Sequence, residues 1–192
     1  MLKRYQDLRD FHSAFMLPLD MDWQTFVAER GAFRYALLEE EFDEWLVATR
    51  ASDRVEQLDA LIDVQYIALG TLVEFGGTPS LISLSATNLA DEHLTHLVKA
   101  TQADNLHSFT PETFTAHLTQ LIDRVEFIGQ NLMFDMQAAF DEVHRSNMAK
   151  LGPDGKPLLN GINCPMDSTK PEGKVLKPSG WSAPVLAPFV GA

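Results

Sequence analysis

Two segments of the chain carry acidic residues three or four positions apart among apolar residues. The first segment contains Glu41 and Glu44, and the second contains Asp59 and Asp63. At the helical period of about 100° per residue, both pairs fall inside stripes of apolar side chains. Acids that face into a helix bundle need partners, because an unpaired buried carboxylate is very costly. The pattern indicates a divalent cation held between two neighbouring helices.

Carboxylate oxygens are hard ligands, which suit Mg²⁺ or Mn²⁺. Helical residues three or four apart have Cβ atoms about 5–6 Å from each other, so each acidic pair can converge on an ion. Glu40 is offset from the inner face. It could contact a metal ligand, bind a second ion or act as a general base, and these three alternatives stay open. Glu56 lies close to the stripe of Asp59 and is a reserve ligand. Taken alone, the run Glu39 to Glu44 is more typical of a solvated face, and the second acidic helix favours the metal site.

Two long helices are expected to position these acids. The first is predicted from about Asp22 to Arg50, and the second from an N-cap at Ser52 to about Phe75, just before a Gly-Gly-Thr-Pro stop signal. The link between them is only a few residues long, so they should be antiparallel neighbours. This arrangement brings the two acidic pairs opposite each other.

The remaining elements are also predicted to be helical. A short amphipathic helix is expected over Tyr5 to Phe15, another helix begins at Thr110 with Pro111 in its first position, and a further one covers about Met136 to Lys150. No segment alternates as a β-strand does. The prediction is an all-α helical bundle in residues 1–152, followed by an extended C-terminal tail, 153–192, that packs on the domain or on a partner subunit.

Length and composition exclude several classes of protein. A chain of 192 residues fits one domain that buries on the order of 70% of its unfolded surface. The hydrophobic content of 45% excludes general disorder, and the net charge of −12 argues against non-specific binding to nucleic acid or membrane. The single cysteine, Cys164, excludes an internal disulfide. The first residues lack the apolar segment of a signal peptide, so a cytoplasmic protein is expected.

The segment Glu40-Glu41-Phe42-Asp43-Glu44 resembles the EExxE motif of the all-α nucleoside triphosphate pyrophosphohydrolases. This group includes the MazG-like and the phosphoribosyl-ATP pyrophosphohydrolase-like enzymes. The segment from Asp59 to Gly70 resembles their second motif. Two later segments, Phe140 to Lys150 and Gly173 to Pro178, resemble phage-encoded and bacterial members. The EExxE motif alone is a weak signal, whereas all of these motifs in order are a strong one.

The chain departs from the family pattern in one place. The second motif is often written ExxD, and aligning its aspartate with Asp63 puts Ala60 in the glutamate position. Either Asp59 supplies the ligand from one residue earlier, or the motif runs from Glu56 to Asp59 in a shifted frame. We favour Asp59 with Asp63, since both lie in the apolar stripe that includes Tyr66.

The resemblance implies a Mg²⁺-dependent enzyme, with Mn²⁺ as an alternative ion, that converts a (d)NTP into the monophosphate and pyrophosphate. It implies Glu41, Glu44, Asp59 and Asp63 as metal ligands. Glu40 and Glu41 are the implied catalytic residues, with Glu40, or whichever carboxylate holds no ion, as the general base. A purine deoxynucleotide such as dGTP is one candidate substrate. A homo-oligomer, dimer or tetramer, is also expected, in the host cytoplasm if the chain is phage-encoded.

Four residues near the C-terminal end are candidates for substrate binding. From spacing alone, Asn147 and Lys150 would cap the end of a helix, and the resemblance instead implies phosphate or sugar contact. The resemblance likewise implies phosphate contact for Lys174 and Lys177 in the tail. For Trp181, stacking on a base and anchoring of the tail both stay open.

Two other interpretations stay open. One is a phosphoribosyl-ATP or nucleoside diphosphate hydrolase that uses the same site. The other is a non-catalytic α-helical binding or assembly protein whose acids only decorate its surface.

Overall fold

The structure, a computed structural model, describes residues 1–79, 91–166, 168–169 and 175–191. In these residues the α-helices are α1 (Leu2–Ala14), α2 (Trp23–Glu29), α3 (Gly31–Ala51), α4 (Arg54–Glu74), α5 (Asp91–Ala100), α6 (Ala103–Leu106), α7 (Pro111–Asn131) and α8 (Met136–Met148). Two short antiparallel strands, β1 (Leu158–Leu159) and β2 (Val175–Leu176), pair Leu158 with Leu176. The predicted all-α class is confirmed.

Helix α4 is the centre of the bundle. It packs against α1, α3, α7 and α8, and nearly every side chain of its last five turns is buried. A helix that is apolar on all sides belongs in the core, and Leu58, Leu61, Leu69 and Leu72 are fully buried. We predicted that one apolar stripe of this helix would be buried, and the structure instead buries nearly its whole circumference. The half-buried Asp59 and Asp63 interrupt an otherwise buried cylinder.

The long first helix predicted from Asp22 to Arg50 is wrong in one respect, because the chain breaks it at Arg30. Asp22 caps the short α2 by accepting a hydrogen bond from the Thr25 N–H, at 3.0 Å. At the start of α3, a Cβ on Gly31 would lie 2.3 Å from Leu106 Cδ1, so any side chain at this position would displace that of Leu106. Close packing against α6 therefore accompanies the break.

Polar contacts set the antiparallel pairing of α3 with α4. Arg34, near the start of α3, donates from Nε to Thr71 Oγ1 near the end of α4, at 2.9 Å. Arg30 forms two hydrogen bonds of 3.0 and 2.8 Å with Glu74, whose side chain is fully buried. A buried carboxylate needs such pairing. Arg34 is thus a buried contact between the two helices rather than a surface ion pair.

The link between α3 and α4 consists of Ser52 and Asp53. The N-cap of α4 is Asp53, whose carboxylate accepts from the N–H groups of Val55 and Glu56, both at 3.2 Å. The predicted N-cap at Ser52 is wrong. Ser52 instead ends α3 in the left-handed conformation, with φ 57°. The predicted cap at Thr110 is confirmed, and it forms a reciprocal capping box with Thr113.

The segment 175–191 returns across the bundle. Its Val185 N–H donates to Glu142 on α8 at 3.0 Å, Leu186 is buried, and a 3₁₀ turn covers Ala187–Phe189. Arg54, at the start of α4, donates to the carbonyl of Val190. None of the helices in the described part of the chain has the length and apolar composition that crossing a bilayer requires.

Candidate metal centre

The second half of α3 and the first half of α4 bring four carboxylates together. We call Glu41, Glu44, Asp59 and Asp63 the acidic cluster. Glu41, Asp59 and Asp63 are half-buried, whereas Glu44 is exposed. The acids of the two helices lie close enough to act on each other: Asp59 raises the pKa of Glu41, Glu44 raises that of Asp59, and Glu41 and Glu44 raise that of Asp63.

The cluster disfavours its own ionisation. Burial, with Glu44, Glu40 and Asp59 adding to it, raises the pKa of Glu41 to about 7. Burial also raises the pKa of Asp63 well above its usual value, and Asp59 and Glu41 raise it further. The pKa of Asp59 is raised by burial and by its acidic neighbours. These shifts have two distinct causes, loss of solvation and repulsion between like charges.

The four carboxylates of the acidic cluster form no hydrogen bond or ion pair with any other residue that the structure describes. A half-buried carboxylate without such partners is stabilised either by protonation or by a bound cation, and carboxylate oxygens are the ligands that a hard divalent ion prefers. Among the described residues, no group of three or more His, Cys, Asp or Glu side chains is already arranged to hold a metal ion. The donor chemistry therefore fits Mg²⁺ or Mn²⁺, and the side chains must turn toward a common point to bind one.

Glu40 and Glu56 flank the acidic cluster and are both exposed. Glu40 contributes to the raised pKa of Glu41, and Glu56 contributes to that of Asp59. Both carboxylates are thus close to the cluster while remaining open to water. This position is compatible with the proton-accepting role predicted for Glu40 and with the reserve-ligand role considered for Glu56.

The end of α8 places Lys150 next to the acidic cluster. Lys150 donates from Nζ to Asn147 Oδ1 at 2.7 Å. Burial lowers the pKa of the Lys150 ammonium, and the Asp63 carboxylate acts against that shift. The positive charge of Lys150 in turn lowers the pKa of Asp63, against the larger effects that raise it. The structure therefore brings the predicted residues Asn147 and Lys150 to the acidic face of α4.

Tyr66 connects α4 to the same end of α8. Its side chain is buried, and its hydroxyl lies 3.2 Å from His144 Nδ1. A hydrogen bond from the Asn147 side chain lowers the pKa of Tyr66 against the larger effect of burial, which raises it. In the sequence, Tyr66 lies in the same helical stripe as Asp59 and Asp63, and that pattern predicts no function for it. No local pattern shows that its hydroxyl meets α8.

Of the two lysines predicted to bind substrate from the tail, Lys177 lies in the part of the chain that the structure describes. Lys177 is exposed, its Nζ lies 3.8 Å from the centre of the Trp181 ring, and its charge lowers the pKa of Lys150. The Trp181 indole N–H donates to the backbone carbonyl of Ser146 at 2.9 Å, which supports the anchoring role. The prediction for Lys174 lies outside the described residues.

Part of the chain matches a known protein family. Residues 8–83 match the family model described as phosphoribosyl-ATP pyrophosphohydrolase. This range includes the second half of α1, all of α2, α3 and α4, and the whole acidic cluster. No curated protein and no solved structure matches the chain.

The family match supports nucleotide pyrophosphohydrolase activity in general. It covers the helices that carry the acids and stops before α5. With the all-α fold, it confirms the predicted family. Residues 8–83 are therefore similar to the phosphoribosyl-ATP pyrophosphohydrolase family, which belongs to the MazG-like all-α nucleoside triphosphate pyrophosphohydrolase superfamily.

Proposed function

We propose that this protein hydrolyses a (deoxy)nucleoside triphosphate to the monophosphate and pyrophosphate, in a reaction that depends on Mg²⁺ or Mn²⁺. The observation that carries the proposal is the acidic cluster, which lies between α3 and α4 inside the region that matches the family and has no hydrogen-bond or ion-pair partner among the described residues. A purine deoxynucleotide such as dGTP is one candidate among the substrates.

The acidic cluster would hold one or two divalent ions. When bound, such an ion offsets the charge of the phosphates and lowers the pKa of an attacking water. The chain itself supplies carboxylates on two rigid helices that a two-residue link and the Arg30–Glu74 pair hold in register. Positions on rigid helices keep the ligands within the small tolerance that catalysis needs.

Two groups of the chain act on the substrate in this proposal. Glu40, exposed beside the cluster, accepts a proton from the attacking water as the general base. The water oxygen forms a bond to the α-phosphorus, and the bond from that phosphorus to the α,β-bridging oxygen breaks. The charge that develops on the leaving pyrophosphate is offset by Lys150, which Asn147 holds in place, and by the tail lysines Lys177 and Lys174.

A second candidate substrate is phosphoribosyl-ATP, because the matching family model carries that description. The same acids would cleave the same α,β-phosphoanhydride bond, so the cluster does not distinguish the two substrates. Nucleoside diphosphates are a further alternative on this site. Which of these substrates the protein prefers depends on its contacts to the base and the sugar.

The test is a panel of the eight common (d)NTPs, the corresponding dNDPs and phosphoribosyl-ATP, each with Mg²⁺ or Mn²⁺, analysed by product chromatography. We expect equal amounts of monophosphate and pyrophosphate from at least one triphosphate, and no product with EDTA. Glu44→Gln should abolish the reaction, whereas the exposed Glu39→Gln on the same helix should retain it. If no compound releases pyrophosphate with either ion, the proposal is wrong and a non-catalytic helical binding protein is favoured.

A further inference from the structure

Two hydrogen bonds fix the tail to the C-terminal end of α8. The last carbonyl groups of a helix have no partner within it. The Trp181 indole N–H donates to one of them, Ser146 O, at 2.9 Å. In return, the buried Ser146 hydroxyl donates to the backbone carbonyl of Ser182, also at 2.9 Å. Since the two bonds run in opposite directions between adjacent residues, they fix both the position and the orientation of this part of the tail.

The Trp181 ring then forms a platform for Lys177. The Lys177 Nζ lies 3.8 Å from the ring centre, within the range of a cation–π interaction. Lys177 forms no ion pair with any residue that the structure describes, and its ammonium group instead lies over the Trp181 ring. A long lysine side chain otherwise samples many rotamers, and a contact of this kind restricts them.

The position of Lys177 matters because of what lies beside it. The Lys150 ammonium is held by Asn147 at 2.7 Å, and it interacts with both Lys177 and the acidic residue Asp63. Two ammonium groups near each other are repulsive unless an anion lies between them or beside them. A polyphosphate next to the acidic cluster would supply such an anion.

We propose that Trp181 is a positioning residue that holds Lys177 beside Lys150, so that these two ammonium groups form an anion site for the pyrophosphate part of the substrate. The inference rests on the proposed function, since it deepens the role of the same site. In this proposal the tail takes part in substrate binding, because the Ser146 carbonyl holds the Trp181 indole and the indole ring holds Lys177.

The experiment measures the affinity of inorganic pyrophosphate for the full chain in the presence of Mg²⁺, by calorimetry. Trp181→Leu and Lys177→Gln should each weaken binding roughly three- to tenfold, which corresponds to the loss of one charged contact at a partly exposed site. The double variant should be no weaker than Lys177→Gln alone, because Trp181 acts through Lys177. Trp181→Phe keeps a ring beneath the lysine and should lose less than Trp181→Leu.

Ser182→Ala is the matched control, because it retains the backbone carbonyl that Ser146 uses and should bind pyrophosphate as the wild type does. In turnover, Trp181→Leu should lower kcat/KM, because Lys177 then offsets less of the charge on the pyrophosphate group. Additive losses in the double variant, unchanged affinity in Trp181→Leu, or no pyrophosphate binding by the wild type would overturn the inference. If the coupling is found but no nucleotide is hydrolysed, the anion site stands and the proposed function fails.

Discussion

Asp63 is surrounded by charge of its own sign. Asp59 and Glu41 raise its pKa beyond the effect of burial, and Lys150 is the cation that lowers it. Such a carboxylate disfavours its charged form in the folded protein unless a further cation is bound. The stability of the metal-free protein therefore favours an uncharged side chain at position 63, whereas the proposed activity needs a charged carboxylate there.

Replacing Asp63 with asparagine should separate these two requirements. Asp63→Asn removes a buried charge while keeping the shape of the side chain. We expect the Tm of the metal-free protein to rise by about 2–4 °C, as a gain of ~1 kcal/mol produces in a protein of this size. Pyrophosphate release should fall at least about 100-fold, because a metal ligand is lost. Calorimetric scans in EDTA and a product assay check both, and the exposed Asp43→Asn should change neither. A lower Tm for Asp63→Asn would contradict this account.

The raised pKa values also predict how stability depends on pH. Glu41 has a pKa of about 7 in the folded protein against 4.5 ordinarily, so between these values the folded state binds more protons than the unfolded state. The free energy of unfolding of the metal-free protein should therefore fall as pH rises through this window. Mg²⁺ has to displace these protons, so its stabilising effect should grow between pH 6 and pH 8.

Thermal unfolding at pH 5.5, 6.5 and 8, with EDTA or with Mg²⁺, measures both effects. Glu41→Gln removes one of the titrating groups, so its stability in EDTA should vary less with pH than that of the wild type. Equal stabilisation by Mg²⁺ at all three pH values would argue against metal binding by these acids.

At the scale of the elements, the link between α3 and α4 determines which acids meet. Ser52 takes the left-handed conformation that ends α3, and Asp53 caps α4. Two residues of fixed conformation leave little freedom for one helix to slide or rotate against the other. The register of Glu41 with the acids of α4 therefore depends on this turn.

The turn can be tested by paired substitutions. Asp53→Ala should destabilise the protein by about 1 kcal/mol, because the carboxylate accepts from two backbone N–H groups of α4. Ser52→Gly should instead stabilise it by roughly 0.5–1 kcal/mol, since glycine adopts a positive φ without steric cost. Urea unfolding measures both changes. If Ser52→Gly destabilised the protein and Asp53→Ala did not, the cap would lie at Ser52 after all.

At the scale of the whole molecule, the chain closes on itself through its tail. The Asp135 N–H, at the start of α8, donates to Phe189 O at 2.9 Å, and Arg54 donates to the carbonyls of both Leu132 and Val190. Leu186 is 4% exposed and joins the core, whereas its neighbour Val185 is 62% exposed. The tail is thus attached to the starts of α4 and α8 as well as to the end of α8.

Adjacent residues of the tail provide a controlled test of this packing. Leu186→Ala should cost about 2–3 kcal/mol, because it removes a buried side chain and leaves a cavity. Val185→Ala should change stability by less than about 0.5 kcal/mol, as an exposed substitution does. Urea unfolding of the full chain measures both. Equal effects of the two substitutions would mean that the tail does not pack in this way.

The sequence by itself determined the all-α class, the cap at Thr110, the family and the pairing of acids across two helices. These features depend on local information: the spacing of residues within a helix, the chemistry of a cap and the length of a short link. The acids of the cluster were identifiable because helical spacing and the two-residue link already constrain where their side chains lie. The metal and the substrate contacts stay predictions.

Only the tertiary structure decided the break at Arg30, the burial of α4 on nearly all sides and the attachment of Trp181, with Lys177 over its ring, to the end of α8. Each depends on residues far apart in the chain: Arg30 pairs with Glu74, Gly31 packs on Leu106, and Trp181 binds Ser146 O. No local pattern contains such contacts, because they arise only when the whole bundle has packed.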